Sequence, residues 1–570
     1  MKTCALLLLA SLGVEAASPQ TSARNAAAPA GAAPVQAGRS MVVSQSLLAS
    51  EVGAKVLEEG GHAVDAAVAT AFALAVTHPT AGNIGGGGFL LLRAKDGRAE
   101  AYDFREKAPA AANPRMFLDD DDEYDFMAHR RSHLSVGVPG TVAGLHLAWK
   151  EHGRLPWRRL VDPAVVLARD GFTVSEGLAR SLKGRLHLFR LYAASYAQFS
   201  KNGAAYVAGE ALKQPDLART LERIAERGPA GFYEGETAAL IEKEMKEGGG
   251  VMTAADLRAY QAKKRTPLRG SYRGHDIIAM PPPSSGGPSL LLMLNVLEGY
   301  DLRAQGRGTA ATIHLMAETM RRAFAERARH LGDPDFNPAM PLERLLSKDY
   351  AAHLRRTIRE DRASSSEPTS FEWPAESAET THLSVVDEAR NAVSLTYTLE
   401  DGYGSKIVVP GAGFLLNNEM GDFNAGPELT NVEGRIGTAP NLAGPGKRML
   451  SSMTPAILAK DGKLFMVIGS LGGRTIINTV LECVVNVVDF GLDIQAAIDA
   501  PRFHHQWLPD RIRHERAGFA PEVLAELRAR GHVLKAASTQ GVAEGIVAIA
   551  DDRLEGGSDR RAPDGGAVGR

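Results

Sequence analysis

At 570 residues, with Lys+Arg 65 against Asp+Glu 67 and a net charge of −2, the chain offers no basic surplus for nucleic acid or an anionic membrane. Hydrophobic content of 44% and charged content of 23% are those of a globular protein with a large core, nominally two or more domains by length alone. Of the two cysteines, Cys4 falls in a leader and Cys483 in the apolar "VLECVVNVV", so an intrachain disulfide is excluded and Cys483 reads as a packed core thiol.

The N-terminus "MKTCALLLLASLGVEA" combines Lys2, a short apolar run from Ala5 to Leu12 and small residues up to Ala16. That is the pattern of a secretory signal over 1–16, too short to span a bilayer; a buried N-terminal helix is the alternative. Residues 17–40 are rich in Ala, Pro, Gly and Ser and read as a disordered leader. From Ser44 to Thr77 the apolar spacing predicts two helices broken at Gly60-Gly61. "GGFLLLRAKDGRAEAYDFRE" then predicts a strand, a Lys-Asp-Gly turn and a returning strand ending at Arg105. Gly85 to Gly88 lack the Lys-Ser/Thr of a phosphate loop and read as a close backbone approach. The acidic run Asp119 to Glu123 is consecutive rather than spaced for a cation cage, which predicts a solvated loop. Helical patterns dominate from about 140 to 260 and from 309 to 360. Beyond 380 short strands with turns take over, followed by the helix-like "TIINTVLECVVNVVDFG". Strands followed by helices in both halves predict two sheets covered by helices in a layered α/β fold.

One stretch stands out. The polar, unpatterned "DRASSSEPTSFEWPAESA" runs straight into Thr380-Thr381 and a hairpin whose strands are His382 to Val386 and Ala392 to Thr398. Folding that ribbon about Ala389 sets Asp387 opposite Asn391 and Thr380 opposite Thr398. Paired residues bring their Cβ atoms to roughly 5 Å, within reach of a hydroxyl–hydroxyl contact. Threonines also simply suit a pleated strand, and the hairpin alone does not decide between the two readings.

Several motifs in order do more. "TTHLSVVD", "TYTLEDGYGS", "FLLNNEMGDF", "GKRMLSSMTP", "IGSLGGRTIINTV" and "APRFHHQWLPD" resemble the small subunit of γ-glutamyltranspeptidase, one of the N-terminal-nucleophile hydrolases. "HPTAGNIGGGGFLLLR", "YDFREKAP", "SVGVPGTVAGL" and "MPPPSSGG" resemble its large subunit, and the resemblance runs from about Ser44 almost to the C-terminus. It implies a four-layer αββα sandwich, one intertwined domain formed by a large subunit (41–379) and a small subunit (380–570) of a precursor that cleaves itself between Glu379 and Thr380. Thr380 is then nucleophile and, through its freed α-amine, general base, with Thr398 orienting its hydroxyl. Gly472 and Gly473 supply oxyanion donors, although Gly-Gly after a strand is by itself only a turn. For a γ-glutamyl group, Arg105, Ser451 and Ser452 answer the α-carboxylate, and Glu400, Glu419 and Asp422 the α-ammonium.

The implied substrates are glutathione, glutamine and similar γ-glutamyl amides, with water or an amino compound as acceptor. No metal or organic cofactor is implied, and the location is periplasmic or secreted. Two positions depart from the family pattern: Glu400 replaces an asparagine common in relatives, and Glu433 stands where some bacterial members carry a covering tyrosine. A charged residue at that lid seals out water less well, which favours hydrolysis over transfer. His504-His505 has no third ligand at useful spacing and reads as a structural pair. Ser470 has Ile468 rather than glycine two residues earlier, unlike a serine-hydrolase elbow. The rivals are a cephalosporin (glutaryl) acylase of the same superfamily and an unprocessed binding homologue.

Overall fold

The computed structural model describes residues 33–366, 379–427 and 439–570. The signal segment, the linker 367–378 and Glu433 lie outside the described residues. The leader expectation fails at its end. Val35–Ala37 is an edge strand, paired antiparallel with Arg553–Ser558 through Val35–Gly556 and Ala37–Leu554. Val35 and Ala37 alternate with polar Gln36, enough pattern for an edge strand whose partner lies at the far end of the chain.

Two seven-stranded sheets carry the fold. One runs Val35–Ala37, Arg553–Ser558, Val542–Ala550, Lys463–Leu471, Ala456–Lys460, His275–Ala279, Leu268–Tyr272; the other Gly566–Gly569, Met41–Ser44, Thr381–Val386, Ala392–Thr398, Gly87–Arg93, Ala99–Phe104, Lys263–Arg265. All these pairings are antiparallel. Because side chains alternate along a strand, each strand feeds two cores. Phe89 and Leu91 pack between the sheets while Leu90 and Leu92 face helices. Likewise Ile457 and Val467 point inward, and Leu458, Met466 and Ile468 outward. Helices therefore cover both outer faces, giving the four layers expected.

The outer helices explain their own burial. Ala63–Thr77 is apolar nearly all round and buried at every position, with a capping box between His62 and Asp65 at its start. Gly286–Leu297 is buried throughout on the opposite face. Cys483 lies in the buried helix Thr475–Val488, where burial pushes its thiol up to about 12 and leaves it inert. The acidic run 119–123 is exposed. His504 bonds Asn478 and Gln506, and His505 bonds Asp510. The hairpin Leu268–Tyr272/His275–Ala279 was not anticipated from the sequence. No helix among the described residues is long and apolar enough to cross a membrane.

Candidate active site

The hairpin register matches the sequence reading. Thr381 pairs with Tyr397 and Asp387 N–H reaches the Asn391 carbonyl at 3.0 Å, which brings Thr380 opposite Thr398. The Thr380 hydroxyl donates to Thr398 Oγ1 at 3.4 Å. The Thr398 hydroxyl in turn donates to the Glu379 carbonyl oxygen at 3.2 Å and accepts the Glu400 N–H at 2.9 Å. One donor and two acceptor positions are the full capacity of a hydroxyl. Thr398 is held from the other side as well: Asn83 Nδ2 donates to its carbonyl at 2.9 Å, and a Cβ on Gly86 would collide with the same oxygen. That contact is the reason for Gly86, while Gly85, Gly87 and Gly88 lie as close to the carbonyls of Leu415, Phe104 and Thr396. Asn83, which also accepts from Gly86 N–H and the Thr141 hydroxyl, was missed although it stands in a quoted motif.

Thr380 and Thr398 open on a small, half-open cavity lined by Arg105, Glu400, Glu419, Asp422, Ser451, Ser452, Met453, Gly473 and Ile476. Every cavity residue anticipated from the sequence is there except Gly472, which sits one position behind Gly473. Both glycines have left-handed φ, +136° and +55°. Among the described residues neither of their N–H groups has a hydrogen-bond partner.

Arg105, at the end of Ala99–Phe104, is 1% exposed. Its guanidinium pairs with Glu419 and Asp422 and donates to the Met449 and Leu450 carbonyls at 3.3 and 3.2 Å. Burial alone would lower its pKa, but Glu419, Asp422 and Glu106 outweigh that and hold it above its ordinary value. The carboxylates respond the other way. Burial pushes Glu106 up to about 8 against the pull of Arg105, and pushes Glu419 up as well. Glu106 was missed: it is wholly buried, 3.8 Å from Arg105, and neither of its oxygens has a hydrogen-bond partner among the described residues. Burial thus favours its neutral form and the neighbouring Arg105 its ionised form.

Other supporting residues were also invisible in the sequence. Arg130 pairs with Glu400 at 2.5 Å and Asn418 Nδ2 donates to the second Glu400 oxygen at 2.5 Å, so the residue departing from the family pattern is fully engaged. Ser284 and Ser285, from "MPPPSSGG", meet Ser451 and Ser452: Ser285 N–H donates to the Ser451 carbonyl at 2.7 Å. Arg327 ties the two pairs, donating to Ser285 Oγ at 2.8 Å and Ser452 Oγ at 3.0 Å.

A family model described as Gamma-glutamyltranspeptidase matches residues 49–569. The chain belongs to that family. It is 47% identical over 535 residues to the glutathione hydrolase proenzyme of Escherichia coli K12, covering 93% of this chain and 92% of that protein. Among solved structures, the Helicobacter pylori gamma-glutamyltranspeptidase is 47% identical, with a TM-score of 0.55 over 56% of this chain and 91% of that one. The cephalosporin acylase from Bacillus halodurans is 27% identical, with a TM-score of 0.84, covering 97% and 99%. The one metal-like group among the described residues, Glu100, Glu151 and His152, is not part of the cavity lining. Its two carboxylates already share the Lys264 ammonium at 2.9 and 2.8 Å.

Proposed function

We propose that this chain is a glutathione hydrolase and γ-glutamyltransferase, made as a precursor that cuts itself between Glu379 and Thr380 into a large and a small subunit, in the periplasm or outside the cell. The observation that carries the reading is the Glu379 carbonyl held by Thr398 beside the Thr380 hydroxyl, at the wall of a cavity whose charges complement an amino acid.

In processing, Thr380 Oγ1 attacks the Glu379 carbonyl carbon, aided by the Thr398 hydroxyl on the carbonyl oxygen. The hydroxyl proton passes to the Thr380 nitrogen, the C–N bond breaks, and water hydrolyses the resulting ester. The freed α-amine, with an ordinary pKa of roughly 7.7–8.0, then serves as base for its own hydroxyl near neutral pH. In turnover Thr380 takes the γ-glutamyl group and releases the amine. Gly472 and Gly473 N–H groups receive the oxyanion, and water or an acceptor amine completes the cycle. Arg105, Ser451 and Ser452 hold the α-carboxylate; Glu400, Glu419 and Asp422 hold the α-ammonium. A zwitterion entering this network exchanges partners with existing ion pairs and adds no net charge, which keeps the desolvation cost down. The charge that Glu433 puts in the sequence where some relatives carry a tyrosine favours water as acceptor; a transfer-to-hydrolysis ratio far above unity with modest dipeptide at neutral pH counts against that.

The likeness to a cephalosporin acylase favours a second reading, with a glutaryl donor. A glutaryl group has no ammonium and leaves the acidic set unmatched. Preference for γ-glutamyl-p-nitroanilide over glutaryl-p-nitroanilide supports the first reading and the reverse preference the second. A denaturing gel tests processing: about 40 and 20 kDa bands from the chain lengths, and a single band for Thr380→Ala. A small band that does not begin Thr-Thr-His-Leu overturns the mechanism.

A further inference from the structure

The Glu379 side chain occupies a pocket that the chemistry above does not use. Its Cγ lies 2.8 Å from where a Cβ on Gly402 would stand, so this glycine makes room for it. The pocket is built by the turn after Thr398, a strained stretch in which Glu400, Tyr403 and Lys406 all have positive φ (+79°, +65° and +68°). That turn aims the buried Lys406 ammonium at Asp401, at 2.5 Å, and at the Gly404 carbonyl, at 2.7 Å. Arg131 reaches the same Asp401 oxygen at 3.0 Å.

A third cation comes from helix Glu176–Phe189. The Tyr403 hydroxyl donates to Ser181 Oγ on that helix at 2.8 Å, and Arg185, four residues on, shares the Ser181 face. Arg185 is half-buried, and its side chain makes no hydrogen bond or ion pair among the described residues. Burial pushes the Glu379 carboxyl up, Arg185 and Lys406 pull it down, and Asp401 pushes it up. Without the Glu379 side chain the pocket holds three cations against one carboxylate.

Position gives this surplus a purpose. The Thr380 nitrogen hands its proton to the departing amine, so the leaving group must lie beside that nitrogen. Glu379 is bonded to it, and the space its side chain vacates is therefore on the leaving-group side. Counted from nitrogen, the Glu379 carboxyl carbon is as many bonds away as the terminal carboxyl carbon of cysteinylglycine is from its own amine. We propose that the pocket of Arg185, Lys406 and Arg131, filled by the Glu379 side chain before the cut, afterwards binds the terminal carboxylate of the leaving or accepting peptide. It rests on Thr380 being the nucleophile.

The test uses the mature enzyme with γ-glutamyl-p-nitroanilide as donor and glycylglycine or glycylglycinamide as acceptor. The expected result is that wild type prefers the free carboxylate about tenfold in kcat/KM, that Arg185→Gln removes the preference, and that Arg185→Lys keeps part of it. Equal use of the acid and the amide by wild type, or an undiminished preference in Arg185→Gln, overturns the subsite. If Arg185→Gln does not mature, the wild-type comparison decides alone. Failure of wild type to release p-nitroaniline at all overturns the nucleophile assignment, a different result from loss of acid-over-amide preference.

Discussion

In the Thr380 cavity a single guanidinium, Arg105, is set among Glu106, Glu419 and Asp422; around the residue before Thr380, Asp401 and the Glu379 side chain are set among Arg131, Arg185 and Lys406. The guanidinium of the first is deeply buried, its arginine 1% exposed, and it is paired with Glu419 and Asp422. The second is half-open and unbalanced. A γ-glutamyl peptide has the matching asymmetry: an amino-acid head that needs both signs of charge in a dry site, and a far carboxylate that needs only a cation. Thr380 stands between the two, and on the proposed reading the polarity of its surroundings sets the direction in which a substrate enters.

The comparison can be broken at its stronger end. Arg105→Lys replaces a fork by a point charge beside buried carboxylates and is expected to cost about 10³-fold in kcat/KM for γ-glutamyl-p-nitroanilide. A loss under tenfold removes Arg105 from the head-group site. At the boundary, Thr398→Val should slow appearance of the two bands about 10²-fold, with Thr398→Ser near wild type, since a hydroxyl donor to the Glu379 carbonyl is what is lost.

The layer beneath both pockets supplies a control. His382 is wholly buried between the sheets, bonded to Thr396 and Ser384, and burial lowers it to about 3. With the folded pKa depressed below the unfolded 6.5, the unfolded chain binds the extra proton between these values, so stability falls as pH drops from about 6.5 towards 3. At pH 5 the cost is about 2 kcal/mol, and denaturant midpoints of wild type and His382→Gln should converge on acidification. A wild-type midpoint that is flat across that range contradicts the assignment.

Two smaller effects sharpen the contrast. Asp422→Asn should lower the preference for γ-glutamyl over glutaryl p-nitroanilide about tenfold while leaving the glutaryl rate nearly as it was. Raising salt from about 0.05 to 0.5 M should increase the KM for glycylglycine roughly two- to threefold and move the donor KM less, because the half-exposed Arg131 and Arg185 are screened more than the buried Arg105. Equal salt sensitivity would mean the two pockets do not differ in exposure.

Strand periodicity made the hairpin legible in the sequence: "THLSVV" and "AVSLTYT" differ in composition but share a turn, and that turn alone sets Thr380 against Thr398. The cavity residues were legible because they sit in motifs whose order resembles a family. Arg130 and Arg327 were not, since each acts through a partner far away in sequence and the residue type says nothing of that partner; Glu106 adjoins Arg105, but its complete burial comes only with the fold. Arg131, Arg185 and Lys406 come from three separate segments, and only folding the turn after Thr398 with left-handed residues brings them to one place. Val35–Ala37 misled for the same reason: its partner strand begins at Arg553.

The second sheet places Gly566–Gly569 beside Met41–Ser44, then the Thr380 hairpin, then Gly87–Arg93. Polypeptide from before and after residue 379 thus alternates like the fingers of clasped hands. A nick at that position separates nothing while the sheets persist, yet once they melt the two fragments must find each other by diffusion. Maturation would thereby turn a reversible folding problem into a one-way door, and heated enzyme should recover far less activity than heated precursor recovers structure.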